Sequence, residues 1–466
     1  MSRQPPTLQT PPTAPPAVPR APEASTAPAP AADAASRPSL AGRRVLVDGY
    51  NLEMPYGTGI KRYGEDIVHH LRAAEARIGI LFSCPVAPKP AVQEALLCAG
   101  QHRLNRPWQR WSDVARFGWS AYFGARAKRI EPTRYAVSDA DEPWPWHQAD
   151  HCLTAPNCFT NAIRTCALRS RPLRLSLPEP FDLVHLTSPL PIRFPGHARL
   201  VTTIHDLIPL RLPWAADDDK QVFYESVRYC VEQSLAIICI SEHTRRDLIE
   251  LFDVPEHKLH VTYEPVPTGL PHLEPHVVDQ TLAAHGLTRD GYLLFVGNTM
   301  DAKKNVHRLL QAMSVADTNL PLVLAGPPPS VPWERDHPIC AELYERRQLL
   351  RLGYVPNKDL AALYHGCRAF VFPSLYEGFG LPALEAVQFR RPVVTSNRTA
   401  LPEVCGGAAL YADPAEPRDI ANKIDEVVTD EAVRDRLIAA GPAQLAKFSV
   451  ENYRERLLTA YAHAMA

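Results

Sequence analysis

Short apolar runs, rich in valine, isoleucine and leucine, recur along the chain after residue 43. Most runs end in glycine or polar residues and lead into a stretch with helical periodicity, which is typical of strands in a buried parallel sheet. In the first half of the chain the runs are 44–48, 78–82, 181–187, 200–206, 236–241 and 259–263. In the second half they are 292–296, 321–325, 351–355, 369–372, 393–396 and 409–412. The alternation predicts an α/β protein with two parallel-sheet domains in tandem.

The same pattern predicts where the domains begin and end. Residues 1–42 are rich in proline and alanine and have too little apolar character to order themselves, so we expect a disordered tail. Two α/β domains follow, at 43–266 and 291–448, joined by a proline-rich linker at 267–290. Periodicity at 449–466 predicts a C-terminal helix, for which packing back across the first domain is one option.

The overall charge is almost balanced, with 50 Lys and Arg against 51 Asp and Glu. The chain as a whole therefore does not suit a polyanion, and we expect no nucleic-acid partner. Its ten cysteines include no Cys-x-x-Cys pair, so we expect reduced thiols and no zinc site. Neither a signal peptide nor a run of about eighteen apolar residues is evident, which predicts a cytoplasmic protein that does not span a membrane.

One stretch, 103–130, is both basic and aromatic. On a helical projection its apolar residues lie on one side, opposite most of its arginine and lysine side chains. Those apolar residues are Leu104, Trp108, Trp111, Ala115, Trp119, Tyr122, Phe123 and Ile130. The pattern suits a helix in an anionic membrane interface and, equally, a helix that covers the core with a solvated basic face. Contact with the inner face of the cell membrane is thus one of two expectations for this stretch. The sequence pattern of 131–180 is irregular and predicts no helices or strands there.

A candidate site lies at 369–389, where an apolar run stops at a turn containing Gly378 and Gly380 and a helical pattern begins. Two carboxylates, Glu377 and Glu385, flank this turn. Because the first turn of a helix has free N–H groups, its start attracts phosphate. The stretch therefore predicts a nucleotide site with two carboxylates that can bind hydroxyl groups.

Two lysines in the same domain suit a bound diphosphate. Lys303 and Lys304 lie shortly after Gly297, at the end of the domain's first strand. An isolated lysine pair is more often simply solvated, but the presence of Glu377 in the same domain favours a phosphate site. These cations are point charges and not bidentate forks.

The first domain contributes two further candidates. Gly57 and Gly59 lie in a loop between a strand and a helix, the order found in dinucleotide-binding units, although the loop is not Gly-x-Gly-x-x-Gly. His205 and Asp206 end another apolar run, where parallel strands deliver side chains to a crevice.

Two acidic motifs raise the alternative of a metal site. Asp139-Ala-Asp141 and Asp217-Asp-Asp219 could each hold Mg²⁺ beside a nucleotide. Neither follows an apolar strand, so we interpret both as solvated loops. The sequence therefore predicts no metal ligands and no cofactor.

The run 372–385, Phe-Pro-Ser-Leu-Tyr-Glu-Gly-Phe-Gly-Leu-Pro-Ala-Leu-Glu, resembles the donor-site signature of glycosyltransferase family 4. Segments 203–207, 240–246 and 394–414, and Gly297 with Lys303-Lys304-Asn305, are similar to other motifs of that family. The resemblance extends over 43–466 and is densest after 291. It implies a retaining glycosyltransferase of the GT-B architecture, in which two Rossmann-like domains, the first for the acceptor and the second for the donor, face a central cleft.

The resemblance also implies roles for individual residues. Glu377, His205 and Lys304 would act in catalysis, with Glu377 on the hydroxyls of the donor sugar and His205 near donor and acceptor. Glu385 would bind the ribose. The remaining donor-binding positions would be Gly57, Gly59, Gly297, Lys303, Gly378, Phe379, Gly380 and Leu381. The family usually has arginine where this chain has Lys303, so the charge is kept and the bidentate geometry is not.

The implied reaction is transfer of a hexose, with mannose as the first guess, from GDP-mannose or a UDP-sugar to a glycan or lipid-linked oligosaccharide in surface polysaccharide synthesis. A nucleotide-sugar epimerase is the first alternative, because the same architecture hosts such isomerases. A binding protein without turnover is the second alternative.

Overall fold

A computed structural model of the protein describes residues 40–54, 59–87, 89–98, 117–131, 144–196, 198–267, 269–327 and 338–466. Seventeen strands lie in these ranges. Those before residue 262 are β1 (Arg44–Asp48), β2 (Arg77–Phe82), β3 (Ala125–Arg126), β4 (Lys128–Ile130), β5 (His151–Thr154), β6 (Leu173–Ser176), β7 (Leu183–Leu186), β8 (Ile192–Arg193), β9 (Arg199–Ile204), β10 (Ala236–Cys239) and β11 (Leu259–Val261). The others are β12 (Leu293–Val296), β13 (Leu322–Ala325), β14 (Leu349–Gly353), β15 (Ala369–Phe372), β16 (Val393–Ser396) and β17 (Ala409–Ala412).

The helices cover both faces of the sheets formed by these strands. The N-terminal half contains α1 (Gly59–Ala73), α2 (Pro90–Cys98), α3 (117–123 among the described residues), α4 (Cys158–Arg169), α5 (Ile208–Arg211), α6 (Lys220–Gln233) and α7 (Glu242–Phe252). The rest are α8 (Pro275–Ala284), α9 (Val306–Val315), α10 (Pro338–Glu345), α11 (Asn357–Gly366), α12 (Leu381–Gln388), α13 (Leu401–Cys405), α14 (Pro417–Thr429), α15 (Glu431–Leu445) and α16 (Val450–Met465).

Two sheets dominate the described part of the chain. The N-terminal half has an eight-stranded sheet in the order β11-β10-β9-β7-β1-β2-β5-β4, parallel except for the β4–β5 pair. The C-terminal half has a six-stranded parallel sheet in the order β14-β13-β12-β15-β16-β17. The central strands of both sheets are buried on both faces, which is why they appear in the sequence as continuous apolar runs. The predicted α/β architecture with two parallel sheets is confirmed.

The last helix lies on the sheet of the N-terminal half. Helix α16 packs against β9, β10 and β11. The hydroxyl group of Tyr461 on this helix lies 2.7 Å from Nδ1 of His185, a buried residue of β7. Tyr453 is also buried, and its ring lies against His70 of α1. The polypeptide thus crosses from the second half to the first after residue 449.

The prediction of a disordered tail over 1–42 is wrong for residues 40–42. Leu40 is buried in the core of the N-terminal half, and the Gly42 amide donates to the Glu75 carbonyl. The predicted tail, 1–42, therefore includes residues that pack onto the fold. Leu40 is an isolated apolar residue at the end of a proline-rich stretch, so periodicity gave no signal for it.

The prediction of one amphipathic helix over 103–130 is wrong at its C-terminal end. Helix α3 ends at residue 123, and Gly124 adopts φ +84° against β6. The next residues form β3 and β4, and Ile130 is buried while Lys128 and Arg129 are exposed. Trp108 and Trp111 lie outside the described residues. Segment 131–180, which the sequence left unassigned, supplies β5, β6 and α4.

Candidate active site

The site is built around the turn between β15 and α12. Gly380 adopts φ +106° at the N-cap of α12, a conformation that favours glycine. Helix α12 begins at Leu381, and Pro382 occupies its second position. Glu377 precedes this turn and is buried, and Oε1 of its carboxylate accepts a 2.8 Å bond from Nζ of Lys304. The side chains of Lys304 and Glu377 are 14% and 9% exposed, so this is a largely desolvated ion pair.

The loop that carries the lysines is tied to the same turn. Residues Ala302–Lys304 form a 3₁₀ turn, and the carbonyl of Lys303 accepts a 2.7 Å bond from the Leu375 amide. The side-chain amide of Asn305 donates to the carbonyls of Pro373 and Pro414, at 2.9 and 2.7 Å. Lys304 also lies over the ring of Phe372, 4.7 Å from its centroid. These contacts fix Lys304 beside Glu377.

Lys303 faces the other half of the molecule. Burial opposes its charge, but Asp206, Asp301 and Glu377 outweigh burial and raise the pKa of Lys303 above its ordinary value. Asp206 belongs to the N-terminal half and follows β9. The Lys303 cation is therefore within electrostatic reach of carboxylates from both halves. A lysine cation is the type of group that binds a diphosphate.

Glu385 lies about one turn into α12. Its Oε2 accepts a 2.8 Å bond from the hydroxyl group of Tyr364 on α11. Burial raises the pKa of Glu385 to about 7, against the opposing effects of Tyr364 and of Arg62 on α1. Glu385 is therefore partly protonated at neutral pH and can both donate to and accept from hydroxyl groups.

Glycine positions allow close approach around the turn. A Cβ atom on Gly378 would lie 2.6 Å from the carbonyl oxygen of His205, so the two halves are in backbone contact at this point. Gly59, the first residue of α1, would place its Cβ 3.1 Å from Leu381. Gly57 lies outside the described residues.

Gly297 and Phe379 contribute mainly to the packing around the site. Gly297 follows β12, and its backbone is in close contact with that of Gly326. A Cβ atom added to Gly326 would lie 2.0 Å from the Gly297 carbonyl oxygen. Gly326 is thus a close-approach position that the sequence prediction missed. The ring of Phe379 is buried against Tyr263 and Phe448, which leaves only its backbone for the predicted donor contact.

The imidazole of His205 is turned into the N-terminal half. Its Nε2 lies 2.9 Å from the carbonyl oxygen of Thr187, which can only accept, so Nε2 carries the proton. Burial lowers the pKa of His205 to about 4, so the ring is neutral at physiological pH and Nδ1 is an acceptor. This buried Nδ1 has no hydrogen-bond partner in the described part of the chain. The rings of Tyr63 and His205 pack in a T-shaped arrangement, with their centroids 4.8 Å apart.

Glu264 is a site residue that the sequence did not indicate. It follows β11 and is buried, with Oε1 3.9 Å from Nδ1 of His205. Burial raises the pKa of Glu264 to about 8, with Asp66 adding to the effect and Arg62 opposing it. A neutral carboxyl group thus lies beside the neutral imidazole. A single glutamate at the end of a short strand carries no recognisable motif, so only the packing shows it.

The acidic triplet at 217–219 directly precedes α6, and its last residue has a structural role. The Asp219 carboxylate caps α6 by accepting from the amides of Gln221 and Val222. Asp139 and Asp141 lie outside the described residues. Nine of the cysteines are buried and unpaired thiols in the part of the chain that the structure describes.

Two family models match the chain, "Glycosyl transferases group 1" over residues 279–444 and "Glycosyltransferase Family 4" over residues 149–270. The O-antigen chain mannosyltransferase B of Escherichia coli is 36% identical over 272 residues, which cover 56% of this chain and 70% of that protein. The chain belongs to glycosyltransferase family 4. The serotype-specific mannosyltransferase WbdA of E. coli is 34% identical over 267 residues, which are 54% of this glycosyltransferase but only 32% of WbdA.

Several solved structures share the fold of this chain. Sucrose-phosphate synthase from Thermosynechococcus elongatus aligns with a TM-score of 0.59 at 16% identity, over 90% of this chain and 98% of that one. Anabaena HepE in complex with UDP and glucose aligns with a TM-score of 0.58 at 13% identity, over 90% and 99% of the two chains. The glycosyltransferase therefore has the GT-B fold. In its described segments, no helix combines the length and apolar character needed to cross a bilayer.

Proposed function

We propose that this glycosyltransferase transfers mannose from GDP-mannose to a glycan or lipid-linked oligosaccharide during synthesis of a surface polysaccharide. The sugar and the pathway are supported by the relatives named O-antigen and serotype-specific mannosyltransferases. The observation that carries the chemistry is the buried Lys304–Glu377 pair at the start of α12, with Lys303 beside Asp206 of the other half.

The geometry supports a division of roles around the breaking bond. Cleavage of the anomeric bond leaves positive charge on the sugar and negative charge on the departing diphosphate. Lys303, Lys304 and the free N–H groups of α12 would stabilise the diphosphate, while Glu377 would hold sugar hydroxyls. We propose transfer with retention, by attack on the same face assisted by the leaving phosphate. The engagement of Glu377 by Lys304 favours this route over a covalent one on that carboxylate.

The lysines would also make a metal ion unnecessary, because they supply the positive charge that Mg²⁺ supplies in other nucleotide-sugar sites. Metal independence is therefore part of the proposal.

We expect the purified full chain to transfer mannose from GDP-mannose to an α-mannosyl oligosaccharide, with an α-linked product identified by NMR. The rate should be unchanged in EDTA. A β-linked product would contradict retention, and loss of transfer in EDTA with recovery in Mg²⁺ or Mn²⁺ would contradict metal independence. Incubation with each donor alone, without acceptor, covers the epimerase alternative, because an epimerised nucleotide sugar would appear there. Transfer from a UDP-sugar and not from GDP-mannose would replace the proposed donor.

A peripheral membrane contact through α3 is the second part of the proposal. The side chains of Trp119, Tyr122 and Phe123 are 67%, 77% and 69% exposed and form one outward aromatic face. The guanidinium of Arg169 lies 4.2 Å from the centroid of the Tyr122 ring. Exposed arginines at 126, 164, 171 and 174 occupy the adjoining segments. Amphipathic aromatic rings with surrounding cations suit an anionic bilayer surface, where a lipid-linked acceptor would be found.

Replacement of Trp119 and Phe123 by serine should lower binding to vesicles that contain anionic lipid by about tenfold or more, because each aromatic ring loses its burial in the interface. The matched control is Trp214→Ser, which removes a similarly exposed tryptophan (64%) outside this face. Vesicle sedimentation measures the effect, and transfer to a soluble acceptor should not change. Equal sedimentation of the double variant and the control would contradict the membrane contact.

A further inference from the structure

Consecutive residues of segment 375–377 make contacts with different halves of the enzyme. The Leu375 amide donates to Lys303, and the Glu377 carboxylate is paired with Lys304, so both neighbours are fixed within the C-terminal half. The Tyr376 side chain between them points the other way, and its hydroxyl group donates to Oδ2 of Asp247 on α7. Because Tyr376 and Glu377 are consecutive residues, the anchoring of Glu377 in one half and that of Tyr376 in the other are geometrically linked.

The acceptor of this hydrogen bond, Asp247, is held in place by other contacts within the N-terminal half. Asp247 is buried, and its Oδ1 accepts from Nε and Nη2 of Arg211, at 2.9 and 2.6 Å. Oε1 of Glu250 accepts a 3.2 Å bond from Nη1 of the same guanidinium. Only Oδ2 of Asp247 is left for Tyr376, with Nε2 of His243 at 3.6 Å. A hydrogen bond to a buried, paired carboxylate is among the stronger kinds in proteins.

Arg211 links the contact between Tyr376 and Asp247 to the loop that contains His205 and Asp206. It ends α5, which begins at Ile208, two residues after Asp206 and three after His205. On the other side of Glu377, Gly378 is in backbone contact with His205. Glu377 is therefore held between two contacts with the N-terminal half, one through Tyr376 and one through Gly378.

We propose that Tyr376 and Asp247 are positioning residues, which hold Glu377 in register with the loop of His205 and Asp206 when the two halves close. A second cross-contact nearby, from the His243 amide to Oε1 of Glu403 at 3.3 Å, stabilises the same interface. The inference rests on the proposed role of Glu377 in donor binding. It adds that productive placement of this carboxylate depends on a residue in the opposite half.

The test uses Tyr376→Phe, Asp247→Asn and the double variant in the full chain, with Tyr411→Phe as the matched control. Tyr411 is also a mostly buried tyrosine of the C-terminal half, and its hydroxyl group donates within that half, to Gly406. We expect each single variant to lower kcat by about tenfold or more. The dissociation constant for GDP, measured by calorimetry, should stay within about twofold, because the phosphate-binding lysines are untouched. The control should stay within about twofold in both quantities.

Two further measurements test the inference: the rate of the double variant, and amide hydrogen exchange, which does not depend on activity. Because both residues form one contact, the double variant should be no slower than the slower single variant, and multiplicative losses would overturn the inference. Without any substrate, Tyr376→Phe should speed amide exchange at Leu375 and Glu377 by about tenfold, whereas Tyr411→Phe should not. Unchanged exchange would overturn the inference even if no transfer were observed, and absence of transfer by the wild type would contradict only the proposed function. A fall in GDP affinity equal to the fall in kcat would mean damage to the donor site and would also overturn it.

Discussion

Replacement of Lys304 by methionine is expected to lower kcat by about 100-fold or more, because it removes a preorganised cation from the position where the leaving diphosphate becomes charged. The same change should destabilise the fold. Both side chains of the Lys304–Glu377 pair are largely buried, and a buried carboxylate without its counter-ion costs about 3–5 kcal/mol. Initial rates and thermal unfolding measure the two effects.

A second substitution separates catalysis from stability. In Lys304→Met/Glu377→Gln the unpaired charge is gone, so we expect the melting temperature to recover towards that of the wild type while transfer stays low. Lys423→Met is the control, because Lys423 pairs with Glu426 on α14, on the surface of the same half. That variant should keep wild-type activity. If Lys304→Met retained more than about a tenth of the wild-type rate, the Lys304–Glu377 pair would serve packing and not transfer.

The second large effect concerns Glu264 and pH. Its pKa is raised to about 8 in the folded protein, and the reference value for an exposed glutamate is 4.5. Between those pH values the folded protein keeps a proton that the unfolded chain releases, so the stability contributed by Glu264 is full below about pH 4.5 and falls as pH rises towards 8. At 1.36 kcal/mol per pKa unit, the whole loss is on the order of 5 kcal/mol.

Glu264→Gln should remove this dependence. We expect the free energy of unfolding of the variant, relative to wild type, to increase by about 4 kcal/mol between pH 5 and pH 8.5. Comparing the two pH values cancels any effect of the substitution that does not depend on pH. Glu274→Gln, at an exposed position ten residues further along the chain, is the control. A Glu264→Gln difference that does not change with pH would mean that Glu264 is ionised in the folded state.

The fold class and the core of the site could be predicted from the sequence because both depend on local order. An apolar run of a few residues followed by glycine and a helical period specifies a βα unit wherever it occurs, and the twelve predicted runs all coincide with strands of the two large sheets. The glutamate signature lies within one such unit. Lys304 and Glu377 are 73 residues apart, yet each follows a strand of the same sheet, so parallel topology brings them together.

Contacts between elements that share no local pattern could not be predicted from the sequence. Tyr376 and Asp247 are 129 residues apart, and Glu264 meets His205 through the packing of β11 near β9. The end of α3 before Gly124 could not be predicted either, because aromatic and basic residues continue at the same spacing into β4. Periodicity reports which face of an element is buried, not which element covers it, because that choice depends on the free energy of the whole packed chain. The residue pattern is therefore enough to predict two parallel sheets and a phosphate-binding turn with its lysines and glutamates, whereas the way in which the two halves hold that turn follows from packing.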